Sequence, residues 1–190
     1  MALVPDVLSF WFGAPAARGS YRDAWFRKDP DFDAEIRRHF LVPVESAARG
    51  ELDRLQSDRE GALALVLLLD QFPRNLFRGQ ARAFAADPKA REVADAALAR
   101  SLDRGLTSCE RLFFYLPFEH SEFLADQERS VALFRRLADE ESARADWLGY
   151  AIRHRDIIFR FGRFPHRNEA LGRESAPEEI DFLRQPGSSF

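Results

Sequence analysis

An all-α fold, built as an antiparallel array of seven or eight helices, is predicted by three features of this 190-residue chain. Apolar residues recur at helical spacing in one segment after another, and no run shows the alternation of a half-buried strand. Prolines, glycines and capping residues fall at the borders of those segments. The connectors between them are short, so successive helices are expected to run antiparallel in a single helical domain over residues 1–190.

The first helix is expected from about Asp6 to Gly13, with Phe10, Trp11 and Phe12 as its heavy apolar end. A turn-rich stretch follows to Pro30. Residues 31–50 read as a helix interrupted or bent at Pro43, which has no amide hydrogen and crowds the preceding turn. Residues 61–72 are apolar all round, as a helix at the centre of a bundle must be, and are expected to stop at Pro73. Asp87 before Pro88 reads as an N-cap with proline at the first helical position, opening a helix that ends near Gly105.

Thr107-Ser108-Cys109-Glu110 has the spacing of a capping box, and its helix is expected to stop at Pro117. A further helix is placed over about 118–139 and a long one over 142–164. Ser175-Ala176-Pro177-Glu178 caps a last short helix before Pro186-Gly187 opens the tail. Phe190 is expected to dock on the domain with its carboxylate near an arginine. Internal self-similarity near the 34-residue period of tetratricopeptide helices is too weak to define a repeat.

Composition narrows the function classes. Hydrophobic residues make up 46% of the chain and include 18 phenylalanines, enough to fill a core. A net charge of −3 argues against a nucleic-acid binder. Lys28 and Lys89 are the only lysines, and the arginines are spread from Arg18 to Arg184, which fits codon usage better than guanidinium chemistry. The single cysteine, Cys109, excludes an internal disulfide and fits a reducing compartment. The start of the chain lacks a basic segment, and Pro5 and Asp6 interrupt its apolar run, so no signal peptide is expected. The longest apolar run, Ala62–Leu69, is far shorter than the roughly 20 residues of a membrane span. A cytoplasmic protein without membrane contact is the expectation.

Several segments carry a resemblance. They are Phe10-Trp11-Phe12-Gly13, the stretch from Leu67 to Asn75 (LLLDQFPRN), Leu116 to Glu122 (LPFEHSE), and Asp126-Gln127-Glu128. His154 to Ile158 (HRDII), Arg160 to Asn168 (RFGRFPHRN) and the closing Pro186 to Phe190 (PGSSF) complete the set. Together, and in this order, they resemble a bacterial family known only as a domain of unknown function. The resemblance spans nearly the whole chain and implies a tetratricopeptide-like all-helical fold. It supplies no activity, substrate or catalytic residue.

The candidate ligand-binding residues are polar side chains set beside aromatic ones: Asp70, Arg74, Asn75, Glu119, His120, His154, Arg155, Arg163, His166, Arg167 and Asn168. They are expected at the ends of the helices carrying residues 70–75, 119–126 and 154–168, in a polar pocket walled by aromatics. Asp70 follows eight apolar residues, and an unpaired buried carboxylate costs several kcal/mol. Its expected donors are the arginines of residues 153–167. A helix-end ion pair is the simpler reading of Asp70, and a site acid the functional one. His154 shares an apolar stripe with Tyr150, Ile157, Ile158 and Phe161, which suits a satisfied core histidine. On the opposite side, Asp156 is expected to pair with Arg160 and Arg153.

Residues 153–173 hold six arginines against Asp156 and Glu169, a net +4 that leaves −7 for the rest of the chain. That segment either grips an anion through guanidinium forks or neutralises acidic residues elsewhere, and neutralisation is the simpler reading. Glu119, Glu122 and Asp126 are spaced along one helix face and are weak candidates for a divalent cation. The chain lacks HExxH, paired cysteines and a pair of Glu-x-x-His motifs, so no metal and no cofactor are expected. His154-Arg155-Asp156 has none of the other parts of a protein kinase, and no G-x-S-x-G elbow or phosphate loop occurs. Cys109 reads as a small buried hydrophobe rather than a nucleophile.

The leading expectation is a binding or adaptor module that holds a small anion or a peptide in an arginine- and histidine-rich pocket. The alternatives are a hydrolase using His120, His154 or His166 with Asp70 or Glu119, and an RNA-binding protein. The hydrolase requires two of those groups within hydrogen-bond reach in an open cleft. The RNA binder requires a continuous exposed basic face, and the overall charge speaks against it.

Overall fold

Eight helices and no strand are found among the residues that the computed structural model describes, 2–142 and 145–188. They are α1 (Leu3–Phe12), α2 (Pro30–Ala48), α3 (residues 59–76), α4 (Asp87–Ala99), α5 (Ser108–Glu119), α6 (Leu124–Glu140), α7 (Ala145–Phe161) and α8 (Pro177–Leu183). The all-α class and the helix number follow the sequence pattern. The position expected for Phe190 lies outside the described residues. By its contacts the chain divides into two units, Met1–Arg78 with Arg82–Pro117, and Gly79–Ala81 with Phe118–Phe190.

In the first unit α3 is the hub, packed against α1, α2 and α4. Residues 61–73 are buried without exception, which the all-round apolar pattern requires. Contrary to expectation, α3 does not stop at Pro73. Leu67–Gln71 forms a π-helical turn in which the Phe72 amide donates to the Leu67 carbonyl, five residues back. The wider turn relieves the clash between a proline ring and the preceding turn, so the helix resumes over Phe72–Leu76.

Pro117, expected to end its helix, also lies inside one, α5, and Pro43 lies inside α2, where an interruption or bend was expected. Each removes one donor while its fixed φ suits a helix, and burial of Phe40 and Val44 in α2 and of Leu116 and Phe118 in α5 outweighs that loss. Asp29 caps α2 by accepting from the Asp31 and Phe32 amides. The capping box at the start of α5 is present in both halves. The Glu110 amide donates to Thr107 Oγ1 at 3.3 Å, and the Thr107 amide to Glu110 Oε2 at 3.0 Å. At α4 the expectation fails, because Asp87 is the first helical residue and its carboxylate is turned to Arg74 instead of capping. That helix ends at Ala99, short of Gly105, where Ser101 takes a left-handed φ of 57°.

Rings fill the core of this unit. Phe113 lies 5.0 Å from Trp25 and 5.4 Å from Trp11 between centroids, and Phe40 lies 5.0 Å from Phe72. Trp25 Nε1 donates to the Trp11 carbonyl at 2.8 Å. Cys109 is fully buried, with its sulfur 3.3 Å from the Gly19 carbonyl oxygen, a packing position.

In the second unit α6 and α7 pack along each other. Ile157, Ile158 and Phe164 form a core flanked by Phe161 and Phe182, whose rings are 5.1 Å apart. Tyr150, expected on that apolar stripe, is instead 48% exposed with the Arg153 guanidinium over its ring. Being one turn outward, it trades burial for a cation–π contact. No helix among the described residues is long and apolar enough to cross a membrane.

Candidate functional site

Two polar clusters, one in each unit, hold seven of the eleven candidate residues singled out from the sequence. In the first unit the π turn carries Asp70, a fully buried carboxylate. Arg74, one turn on, lies 3.3 Å from Asp70 Oδ1 and donates to the Asp70 carbonyl at 2.6 Å. Both terminal nitrogens of Arg74 also reach Asp87, each at 2.9 Å from one carboxylate oxygen. Burial alone would lower the Arg74 pKa, but the charges of Asp70 and Asp87 outweigh it and raise it. Gln71 Nε2 donates to Asp70 Oδ2 at 2.5 Å. Asp70 thus has a cation from its own helix, where the sequence suggested the arginines of residues 153–167. Asn75 is not part of this group: it donates to Asp33 of α2, which the Arg78 guanidinium also grips through two nitrogens.

The second unit gathers Glu119, His120, His154, His166 and Arg167. His154 is buried, with Nδ1 2.9 Å from the Tyr150 carbonyl oxygen and 3.3 Å from Glu119 Oε1. A carbonyl oxygen only accepts, so the hydrogen is on Nδ1 and the basic lone pair on Nε2. Burial pushes the His154 pKa down to about 3, against the pull of the Tyr150 carbonyl. The charges of His120, His166 and Arg167 are near enough to push it the same way. Phe164 is the spacer of the cluster. Its ring lies 5.6 Å from those of His154 and His166, and the Arg167 guanidinium stands 4.6 Å above it.

The three acids proposed as metal candidates are not on one helix face. Glu119 closes α5, the chain turns through residues 120–123, and Asp126 lies in the first turn of α6. Each acid has its own contact. Glu119 faces His154, Asp126 accepts from Ser121 Oγ at 2.6 Å, and Glu122 takes both terminal nitrogens of Arg173 at 2.8–2.9 Å. Glu122 also accepts from the Phe164 amide at 2.9 Å. Burial would raise the Glu122 pKa, but Arg173 and that amide hold it below the usual carboxylate value. Among the described residues no three His, Cys, Asp or Glu side chains are grouped as metal ligands.

Arg155, Arg163 and Asn168 lie apart from the histidines. Arg155 pairs with Asp156 at 2.6 Å, which corrects the expected pairing of Asp156 with Arg160 and Arg153. Adjacent side chains meet here because Arg153 and Arg160 are drawn onto the rings of Tyr150 and Phe161. Arg163 grips Glu179 of α8 through two nitrogens at 2.7 Å, and Asn168 Nδ2 reaches the same carboxylate at 3.2 Å. Three of the six arginines in residues 153–173 are therefore tied to carboxylates of their own unit, which is neutralisation. Gln127 was missed as a candidate. Fully buried, it donates to the carbonyls of Glu119 and Ser121 at 2.6 Å and ties off the end of α5. Its place in the Asp126-Gln127-Glu128 segment was its only signal.

Comparison with curated proteins finds no match. Among solved structures, the protein of unknown function ATU0120 from Agrobacterium tumefaciens is similar, at 45% identity and a TM-score of 0.86. The match covers 95% of this chain and 96% of that one. A family model matches residues 7–187. The chain therefore belongs to the family described as bacterial protein of unknown function (DUF924).

Proposed function

We propose that this protein is a binding module whose second unit takes a small anion, or the acidic end of a peptide, at His120, His166 and Arg167. The observation that supports this is their gathering around His154, a histidine that burial keeps neutral. Two imidazoles and a guanidinium set side by side present N–H donors of the kind that carboxylate and phosphate oxygens accept from. His154 is then a positioning residue, fixed by Tyr150 and Glu119. The expected tetratricopeptide-like architecture fits this reading, since helical arrays commonly offer concave surfaces to peptides.

The test is a titration of histidine-labelled protein with inorganic phosphate, followed by the ring shifts of His120 and His166. Saturable shifts that weaken about tenfold in Arg167→Lys support the reading, that being the scale of one charge-assisted bond. Unmoved histidines at high phosphate overturn it. A second reading, hydrolysis with His154 as base, is favoured by the Glu119 contact at Nδ1. Both side chains are buried, so it also needs an opening motion, and hydrolysis of ester substrates that survives in His154→Gln would exclude it.

A further inference from the structure

The first unit contains an open cleft of about 470 Å³, lined among others by Arg18, Asp58, Arg59, Glu60, Thr107 and Glu110. That volume is in the range of small-molecule sites. Its three carboxylates are already engaged. Asp58 accepts from the Gly61 amide at 2.9 Å and caps α3. Glu110 caps α5 through Thr107. Glu60 holds Arg18 Nη1 at 2.6 Å, and Glu110 Oε1 lies 3.6 Å from the same nitrogen.

Arg59 is different. Its Nε donates to the Leu102 carbonyl at 3.0 Å, and no carboxylate among the described residues lies within ion-pair distance of it. The guanidinium is exposed and rests beside Gly105 on the cleft wall, where a Cβ would stand 3.6 Å from Nη1. It is also the first residue of α3, a position where the helix dipole disfavours a cation. Helix stability therefore does not account for Arg59. The uncommitted group of the cleft is a rigid fork of N–H donors, the geometry that carboxylate and phosphate oxygens fit.

We propose that this cleft binds a small organic anion whose carboxylate or phosphate is held by Arg59. Arg18 supplies a second cation. Its partner Glu60 is half-exposed, so an incoming oxyanion can displace that carboxylate from the guanidinium.

The experiment is a pair of titrations of the ¹⁵N-labelled full chain, with inorganic phosphate and with succinate. The signals to follow are the amides of Gly105, Leu106 and Thr107 and the Arg59 Nε–H. Saturable shifts at these positions with either probe are expected, and the tighter probe identifies the head group. Arg59→Gln should weaken binding about tenfold, and Arg59→Lys, which keeps the charge without the fork, should fall between it and the parent. Glu60→Gln should tighten binding several-fold by releasing Arg18. Both positions are at the surface, and an unchanged amide spectrum elsewhere verifies the fold. No saturable shift with either probe, or equal affinity in Arg59→Gln and the parent, overturns the proposal.

Discussion

His154 Nδ1 stands 3.3 Å from Glu119 Oε1 while it donates to the Tyr150 carbonyl, so a buried neutral histidine lies beside a carboxylate. The pair ties α7 to the end of α5 within the second unit.

Stability should therefore fall with acid in a way that traces to this one side chain. Burial holds the His154 pKa at about 3 in the folded chain, against the ordinary histidine value of 6.5. Between those values the unfolded chain binds a proton that the folded chain refuses. The contribution is thus complete above pH 6.5 and lost as pH falls toward 3. The slope is about 1.4 kcal/mol per pH unit, or about 2 kcal/mol by pH 5. Urea unfolding at pH 7 and pH 5 measures it, with His154→Asn as the reference that lacks the slope. Equal pH dependence in both proteins would show that His154 titrates normally.

The Arg163–Glu179 pair adds an acid sensitivity of the same sign, at lower pH. Arg163 foremost, with the Ala176 amide and Asn168, holds the Glu179 pKa down to about 2 from 4.5. Its contribution is complete above pH 4.5 and lost as pH falls through 2. Glu179→Gln should cost on the order of 2–3 kcal/mol at neutral pH, because α8 loses both its anchor and its N-terminal cap contact. Thermal unfolding of the variant at pH 7 and pH 3 checks this, with the difference from the parent shrinking at the lower pH.

The helices were legible where one physical signal dominated. Residues 61–72 are apolar on every side and prove buried on every side, and Thr107 and Glu110 cap α5 as their spacing requires. Prolines misled for a definite reason. Propensity assigns Pro73 and Pro117 to helix ends, but it cannot weigh the burial gained when the helix continues. The π turn at Leu67–Gln71, which accommodates Pro73, has no mark in the residue types. At the candidate site, the sequence singled out polar residues beside aromatic ones, while their partners could not be read from it. Glu122 and Arg173 are 51 positions apart, and only the turn through residues 120–123 brings Glu122 away from Glu119 and Asp126.

Gly61 gives a prediction whose sign is unusual. Replacing an interior helix glycine by alanine normally gains up to about 1 kcal/mol. Here an added Cβ would stand 2.0 Å from the Leu55 carbonyl oxygen, a backbone atom that cannot swing aside. Gly61→Ala should therefore destabilise the protein by at least about 2 kcal/mol, the scale of overpacking against a fixed neighbour. A higher denaturation midpoint for the alanine variant would contradict the close approach of α3 and the turn before it.

Arg74 tests whether the buried network around the π turn depends on charge or on shape. Its guanidinium meets Asp70 once at the carboxylate and once at the carbonyl, and Asp87 through both oxygens. A lysine ammonium keeps the charge, but a single point cannot reach all of these oxygens. Removing the cation altogether leaves two carboxylates to repel each other where Asp70 has no access to water. Arg74→Lys is expected to cost about 2 kcal/mol and Arg74→Ala about 4 kcal/mol, the range measured when one partner of a buried pair is removed. Urea denaturation at neutral pH separates the cases. Equal losses in the two variants would assign the whole effect to the fork, whereas an unaffected lysine variant would assign it to charge alone.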